Sequence, residues 1–249
     1  MQGTMGRALI GERQMEQFRE LGYFVTEPAF EKHELSAMVN EFDRLHAECI
    51  EAAEATGDAK RIRFARQRPF VGEAHLKSAT IAAFVKAPVY LEACAKLIGP
   101  DADLYYNQVV IKPPEEGLAF GWHQDSGYGI TEPLAYITCW TAIGRTTLEN
   151  GCVWVIPGSH KRGLLRHERG PESLDAVLDD ETGAIPVELE AGQVAIFSSL
   201  TLHKSGPNRS KTPRRGYVPQ YHVPRVKLTE TGALTGDQVP VLRGGRAVG

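Results

Sequence analysis

The period of the hydrophobic pattern changes near residue 100, and this change limits the folds that the chain can adopt. Before Gly99 and Pro100, apolar residues recur every three or four positions, as they do on the buried face of an α-helix. After them, short runs rich in β-branched and aromatic residues alternate with turn residues, which is typical of strands. The sequence therefore predicts an α+β fold, with helices first and a mainly β core second.

The helical part contains a long amphipathic helix and a second, interrupted stretch. In "ELSAMVNEFDRLHAECI" one stripe recurs at helical spacing, and it is formed by Leu35, Met38, Val39, Phe42, Leu45, His46 and Cys49. Gly57 and Asp58 end this pattern. The second stretch covers about residues 78–98 and is interrupted at Pro88, because proline cannot donate a backbone hydrogen bond inside a helix.

Five runs predict the strands of the core: "DLYYNQVVIKPP", "LAYITCWTAIG", "GCVWVIPGS", "IPVELEAGQVAIFSSL" and "RRGYVPQYHVP". Short strands at such intervals favour an antiparallel jelly roll, a double-stranded β-helix of the cupin type, with the N-terminal helices packed on it. We expect one domain over residues 1–249, with a helical part at about 12–99 and a jelly-roll core at about 103–225. The glycine-rich tail, 226–249, is expected to be an extended cover or partly loose.

The composition argues against several kinds of partner. A formal net charge of −3 gives no reason to expect nucleic acid or an anionic membrane, and no apolar run approaches the ~20 residues that span a bilayer. The first residues lack the apolar stretch of a secretory signal. No CxxC spacing is present, so the cysteines are expected to act as small hydrophobes: Cys49, Cys94, Cys139 and Cys152. We therefore expect a cytoplasmic protein that acts on a small molecule.

The segment "FGWHQDSGYG" places a histidine and a carboxylate two residues apart, at His123 and Asp125. Alternate residues of an extended segment point the same way, so this pair suits a metal site. Iron(II) oxygenases use two histidines and one carboxylate on one face of the metal. An HxD pair alone is common in loops, so the prediction depends on a third ligand elsewhere.

His203 is the best-placed third ligand among the eight histidines. It directly follows the apolar strand "GQVAIFSSLTL", and an arginine pair opens the next strand at Arg214. Such an arginine would offer a fixed cation to a carboxylate-bearing co-substrate. The other histidines lie in helices, in charged loops, in a turn or near the end of the last strand: His33, His46, His75, His160, His167 and His222.

The chain resembles the phytanoyl-CoA dioxygenase family of Fe(II)- and 2-oxoglutarate-dependent oxygenases over most of its length. The likeness is carried by "LGYFVTEPAF", "VVIKPPEEGLAFGWHQD", "TTLENGCVWVIPGSHKRG", "GQVAIFSSLTLHKSGPNRSKTPRRGYVPQY" and the late "DQVPVLRGGR". The resemblance implies Fe(II), 2-oxoglutarate and O2 as cofactor and co-substrates. It also implies hydroxylation, or a related C–H oxidation, of a small metabolite with release of succinate and CO2.

The resemblance also assigns roles to individual residues. His123, Asp125 and His203 match the family's iron ligands. Arg214 matches the arginine that pairs with the distal carboxylate of 2-oxoglutarate, and Ser205 matches a hydroxyl that helps to hold it. Two further positions fall where relatives line the cofactor pocket, namely Trp140 and Gln108. The carboxylate of Asp125 favours an oxygenase, because halogenating relatives lack one there.

Arg214 and Arg215 are expected to face opposite sides of their strand, with only Arg214 directed into the barrel. Gly216 and Val218, on the same face as Arg214, would leave room for a ligand, whereas Arg215 would be a solvated surface charge. The glycine of "ENGC", Gly151, is typical of a turn.

The sequence leaves the substrate open. The family name suggests an acyl-CoA, but no segment is specific for CoA and a fold does not determine a substrate. We expect residues 60–77, 127–134 and 161–183 to shape the substrate mouth. The basic segment 60–68 could grip an anionic substrate or simply be solvated.

Two other functions remain open at this point. One is a cupin-type metalloenzyme that acts without 2-oxoglutarate and ignores Arg214. The other is a non-catalytic binding module, although such modules lose metal ligands and this chain keeps all three.

Overall fold

The computed structural model describes residues 9–67, 69–115, 117–170 and 173–249. Its α-helices fall in the first hundred residues: α1 Glu12–Leu21, α2 Lys32–Glu54, α3 Ala59–Gln67, α4 Ala79–Phe84 and α5 Pro88–Leu97. Short 3-10 helices cover Ala74–Leu76, Asp125–Tyr128 and Ser159–Arg162. No helix among the described residues combines the length and the apolar character needed to cross a membrane.

The helix ends follow local chemistry. Glu34, in the first turn of α2, accepts a hydrogen bond from the backbone N–H of Glu31 at 2.8 Å. The hydroxyl of Ser78 accepts one from Ile81 N–H at the start of α4. Pro88 is the first residue of α5, where a missing amide hydrogen costs nothing. The interruption predicted at Pro88 is therefore a break between two helices.

Sixteen strands are assigned among the described residues. In chain order they are β1 Tyr23–Val25, β2 Phe70–Gly72, β3 Ala102–Lys112, β4 Phe120–His123, β5 Thr131–Glu132, β6 Ile137–Ala142, β7 Val153–Val155, β8 His167–Arg169, β9 Leu174–Ala176, β10 Ile185–Val187, β11 Val194–Ser198, β12 His203–Ser205, β13 Arg214–His222, β14 Lys227–Leu228, β15 Val239–Arg243 and β16 Arg246–Ala247.

Two antiparallel sheets form the core. The major sheet has the order β1-β11-β6-β13-β3-β15-β16, with β2 also paired to β3, and the minor sheet has the order β10-β7-β12-β4. Two small ribbons, β5 with β14 and β8 with β9, complete the pairing. The predicted fold class, a jelly roll within an α+β chain, is confirmed.

Each face of the major sheet has its own hydrophobic layer. On the helix side, buried residues of α2 such as Met38 and Phe42 belong to one cluster with Val109 and Tyr217 of the sheet. On the other side, a second cluster lies between the two sheets and includes Val110, Trp140, Val153, Val155 and Phe197. The helices thus cover one face of the major sheet, and the space between the sheets is left for a site.

The segments at both ends of the chain contribute strands that the sequence did not predict. Within the helical part, β1 pairs with β11 and β2 pairs with β3. Within the tail 226–249, β15 pairs with β3 and β16 pairs with β15. These strands have two to five residues, too few for a period-two pattern to stand out. The tail therefore includes an integral part of the major sheet.

Candidate metal centre and adjoining cavity

His123 and His203 face each other across two paired strands of the minor sheet. His123 is the last residue of β4, His203 is the first residue of β12, and the two are direct partners in the antiparallel register. Directly opposed residues project to the same side of a sheet. Their ring centroids are accordingly 4.0 Å apart, and both side chains are largely buried.

Backbone carbonyls set the orientation of both imidazoles. Nδ1 of His123 lies 2.9 Å from the carbonyl oxygen of Gly121, and Nδ1 of His203 lies 3.0 Å from that of Thr201. A carbonyl oxygen can only accept, so each Nδ1 carries the hydrogen and donates it. Each Nε2 is left with its lone pair directed into the cavity, which is the form that binds metals.

Asp125 brings a carboxylate to the two Nε2 atoms. Its Oδ1 lies 3.7 Å from Nε2 of His123 and 3.6 Å from Nε2 of His203. The hydroxyl of Thr138 on β6 donates to the other oxygen, Oδ2, at 2.5 Å, and Gln220 Nε2 donates to that hydroxyl at 3.3 Å. These contacts fix the carboxylate with one oxygen aimed at the histidines.

The three side chains could hold one metal ion, because their donor atoms all lie within 4.8 Å of one another. Two imidazoles and one carboxylate on a single face are the donor set of non-haem Fe(II) sites with open positions. The structure therefore brings together the three residues predicted as ligands, across 80 residues of sequence.

Five of the six remaining histidines contact other groups. His160 lies near the carbonyl oxygen of Arg19, His167 near the backbone N–H of Gln124, and His222 near the carbonyl oxygen of Pro133. His46 contacts the carbonyl oxygen of Ala65, and His75 contacts the side chain of Asn107. Among the described residues, only His123 and His203 belong to a group with metal-ligating geometry.

The donor set lines a cavity of about 720 Å³ between the sheets, and Arg214 lines it as well. Arg214 is 2% exposed, and its Nε and Nη2 both donate to the carbonyl oxygen of Gly151, at 3.2 and 3.0 Å. Its Nη1 is buried and has no hydrogen-bond partner among the described residues. Burial lowers the pKa of Arg214 to about 10, so it is still a cation at neutral pH. A buried cation with an unsatisfied donor fits an anionic ligand.

Trp140, Gln108 and Ser205, which the sequence assigned to co-substrate binding, also line the cavity. The ring centroid of Trp140 lies 5.0 Å from the guanidinium carbon of Arg214. A Cβ atom at Gly216 would be 2.5 Å from the Trp140 ring, so glycine at that position allows the indole to lie beside Arg214. Val218, next on this face of β13, lines the cavity too.

Two contributors to this end of the cavity were missed from the sequence. Lys112 is opposite Arg214 in the strand register, is 1% exposed, and donates to the carbonyl oxygens of Ser205 and Gly206. Its alternation with Gln108 and Val110 on β3 was an available signal. Gly151, predicted as a turn residue, adopts φ +82° and also supplies the carbonyl oxygen that holds Arg214.

Arg215 faces away from the cavity as predicted, but the prediction that it is a solvated charge is wrong. Its guanidinium forms an ion pair with Asp43 of α2 at 2.6 Å, and its side chain is 19% exposed. The reason is the helix layer, which covers the face of the major sheet to which Arg215 points.

The predicted mouth segments contribute part of the cavity wall. Lining residues come from 60–77 (Phe70 and Glu73), from 127–134 (Tyr128 and Gly129) and from 161–183 (Ser173). The tail also contributes Thr235, Gly236 and Asp237, which the sequence did not suggest.

The described part of the basic segment 60–68 does not line the cavity. Its charged side chains are exposed on α3, where Arg66 pairs with Glu54 at 2.6 Å. Arg68 lies outside the described residues.

Comparisons with known proteins agree with this geometry. The family model described as Phytanoyl-CoA dioxygenase (PhyH) matches residues 18–216. A probable phytanoyl-CoA dioxygenase of Caenorhabditis elegans is 28% identical over 243 residues, which cover 88% of this chain and 77% of the relative. Matches to other curated relatives span between 39% and 50% of those proteins' lengths.

Solved structures are similar as well. The non-heme monooxygenase ThoJ in its apo form is 30% identical, with a TM-score of 0.70, covering 86% of this chain and 78% of that one. The epimerase SnoN, in complex with Fe3+, alpha-ketoglutarate and a nogalamycin compound, is 21% identical with a TM-score of 0.71, covering 91% and 96% of the two chains. At this identity, the likeness to SnoN shows a shared fold.

Proposed function

The chain belongs to the phytanoyl-CoA dioxygenase (PhyH) family, and from that premise we propose that it oxidises a C–H bond of a small-molecule metabolite, with hydroxylation as the outcome and succinate and CO2 as co-products. By class it is an Fe(II)- and 2-oxoglutarate-dependent dioxygenase.

The observation that carries the proposal is the convergence of three donor atoms on one point. His123, Asp125 and His203 would hold Fe(II), because both Nε2 lone pairs and one carboxylate oxygen face the same space. Their Nδ1 and Oδ2 atoms are engaged by carbonyl oxygens and by Thr138, so the donor geometry is set before a metal arrives.

2-Oxoglutarate would lie between the metal and Arg214. Arg214 provides a buried cation whose Nη1 lacks a partner, and a distal carboxylate would supply the missing acceptor. Ser205, Trp140 and Gln108 line the same part of the cavity and would complete the pocket. An arginine so placed has no use in a metalloenzyme that acts without a carboxylate co-substrate, so it favours 2-oxoglutarate dependence over the cupin alternative.

When bound, Fe(II) and 2-oxoglutarate supply the activation of O2 that oxidises the substrate. The residues of the chain orient and enclose the reactants. Thr138 and Gln220 keep the Asp125 carboxylate turned toward the metal position, and the paired strands β4 and β12 hold the two histidines in register. Trp140, Phe197 and Val218 form an apolar wall that excludes water from the reacting centre.

The test is Fe(II)-dependent conversion of 2-oxoglutarate to succinate by the wild type and by His123→Ala, Asp125→Ala and His203→Ala. Each substitution removes a donor atom, so turnover should be lost in all three. His33→Ala provides the matched control, because His33 is exposed on α2, and this variant should behave as the wild type. Turnover by the triad variants at the control rate would contradict the metal assignment.

A further inference from the structure

The charged residues of the cavity are separated along one strand ladder. In the pairing of β13 with β3, Arg214 lies opposite Lys112, and Gln220 lies opposite Tyr106. All four residues line the cavity. Gln220 is six positions after Arg214 on β13, which corresponds to about 20 Å at roughly 3.3 Å per residue. Arg214 and Lys112 thus mark a cationic end, and Tyr106 marks the opposite end.

Two carboxylates lie at the Tyr106 end. Glu73 follows Gly72, and Gly72 packs against the Tyr106 hydroxyl. The backbone N–H of Asp237 donates to the carbonyl oxygen of Tyr105 at 2.7 Å. Both carboxylates border the cavity, so this end is acidic.

The metal donors lie level with the acidic end. Thr138, which holds the Asp125 carboxylate, is paired with Gln220 in the register between β6 and β13. 2-Oxoglutarate would occupy the cavity from the metal position toward Arg214. The space that remains next to the metal, where a substrate must lie, is therefore bordered by Glu73, Asp237 and the neighbouring tyrosines.

The Asp237 side chain is 9% exposed, although it carries a charge. Its Oδ2 accepts a hydrogen bond from Asn107 Nδ2 at 3.3 Å and lies 3.7 Å from Nδ1 of His75. Gly236, at φ +80°, lies directly on the Tyr105 ring, so this turn holds the carboxylate at the cavity wall. A carboxylate that is nine-tenths buried at a cavity wall fits a ligand group that donates a hydrogen bond to it.

His75 lies beside this carboxylate, with its Nδ1 3.7 Å from Oδ2 of Asp237. The backbone N–H of His75 donates to Asn107 Oδ1, which fixes the amide orientation. Asn107 Nδ2 then donates to His75 Nδ1 at 2.6 Å, so this nitrogen accepts from the amide and does not donate to Asp237. Burial raises the pKa of Asp237, His75 acts against this shift, and the negative charge of Glu73 acts with it. A bound cation at this position would further favour the ionised carboxylate.

Aromatic rings complete the acidic end. Tyr105, Tyr106, Tyr128 and Tyr136 all line the cavity, and the centroids of Tyr105 and Tyr136 are 4.8 Å apart. Tyrosine faces attract cations. Besides Lys112 and Arg214, the described lining includes one further lysine, Lys204, which is paired with Glu181 at 2.5 Å and lies over the Trp122 ring.

Resting on the function proposed above, we propose that the substrate carries a cationic nitrogen, an amine or ammonium group, which binds against Asp237 beside the tyrosines. The carbon to be oxidised then lies between that nitrogen and the metal. An acyl-CoA is disfavoured as substrate, because its phosphates would face the two carboxylates of the acidic end, Glu73 and Asp237.

Shape-matched probe pairs test this inference by equilibrium binding. Three amines, 2-phenylethylamine, tryptamine and hexylamine, are compared with 3-phenylpropanoate, indole-3-propanoate and heptanoate by ligand-observed NMR. The protein is loaded with Mn(II) and saturated with 2-oxoglutarate, so that Arg214 is occupied. Among the pairs that bind, the amine should bind at least ten-fold more tightly than its carboxylate partner.

Asp237→Asn removes the charge with little change of shape and should cost most of this preference. Asp180→Asn, at an exposed carboxylate on the surface, is the matched control and should keep it. A wild type that binds no amine in preference to its carboxylate partner, or an Asp237→Asn variant that retains the preference, overturns the inference. 2-Oxoglutarate turnover without added substrate is measured in parallel, because its absence in the wild type would instead refute the proposed function.

Discussion

The burial of Arg214 and its unsatisfied nitrogen indicate that the cavity binds an anionic ligand. Placing a guanidinium at 2% exposure with one unsatisfied nitrogen is costly unless an anion arrives. We expect Arg214→Ala to weaken 2-oxoglutarate binding by about 2 kcal/mol or more, roughly 30-fold, as for a lost buried charge pair. The 2-oxoglutarate concentration for half-maximal turnover measures this.

Arg215→Ala is the control for that experiment, since Arg215 lies one residue along β13 on the opposite face and pairs with Asp43. This variant should lose less than about 1 kcal/mol of stability, because Asp43 is half-exposed, and should keep the 2-oxoglutarate requirement. An unchanged requirement in Arg214→Ala would remove Arg214 from the co-substrate pocket.

Thr138 acts on the metal site through Asp125. Replacing Thr138 with valine keeps the shape and removes the hydroxyl that donates to Oδ2. We expect Mn(II) affinity to fall by about ten-fold or more, as for other partners of metal ligands. Thr141→Val on the same strand removes a hydrogen bond to Tyr90 instead, on the face away from the metal, and should leave Mn(II) affinity unchanged. Equal Mn(II) affinities in both variants and the wild type would contradict the role of Thr138.

Gly216 is constrained by the indole of Trp140. A Cβ atom there would lie 2.5 Å from the ring, so Gly216→Ala must displace Trp140 from its place beside Arg214. We expect a loss of roughly 1–3 kcal/mol in the free energy of unfolding, together with weaker 2-oxoglutarate binding. Gly144→Ala, where a Cβ atom meets nothing within 4 Å, should change neither. Denaturant titration and 2-oxoglutarate titration of both variants measure these effects. If Gly216→Ala behaves like Gly144→Ala in both titrations, the constraint on Gly216 is wrong.

At the scale of elements, the sequence predicted the features that depend on the local repeat of helices and strands. The helical stripe of α2, the break at Pro88 and the opposite facing of Arg214 and Arg215 all follow from repeat distances of two to four residues. His203 was found because it directly follows an apolar strand.

The features missed depend on contacts distant in sequence. Thr138 lies 13 residues from Asp125, and Asp237 lies 130 residues from Asn107. No periodic pattern encodes such pairs. The short strands β1 and β2 were not predicted for the same reason, because each is defined by its pairing with a strand distant in sequence, β11 and β3 respectively.

The strand β15 makes the tail part of the core. Leu242 is 3% exposed and packs in the cluster under the helices, so Leu242→Ala should cost about 2–5 kcal/mol in the free energy of unfolding. Leu234, on the same segment but 44% exposed, is the matched control, and its alanine variant should stay within about 0.5 kcal/mol of the wild type. A Leu242→Ala loss as small as that of the control would mean that the tail is peripheral.

At the scale of the whole molecule, the ligands that the site binds should stabilise the fold, because the donors come together only in the folded state. The donors come from β4, β12 and the turn after β4, and Arg214 comes from β13, so binding ties both sheets together. A ligand at 100 times its Kd adds about 2.7 kcal/mol to the free energy of unfolding. For a domain of this size that is a rise in Tm of roughly 5–10 °C.

This linkage separates the two ligand sites in one thermal unfolding experiment. Mn(II) should raise the Tm of the wild type and of Arg214→Ala, but not that of His203→Ala, and a chelator should reverse the rise. 2-Oxoglutarate added after Mn(II) should raise the Tm further in the wild type only, since Arg214→Ala lacks the cation for the distal carboxylate. A second rise in Arg214→Ala equal to that of the wild type would place the co-substrate elsewhere, whereas a Mn(II) response in His203→Ala would place the metal elsewhere. The two sites are therefore tested independently in the folded chain.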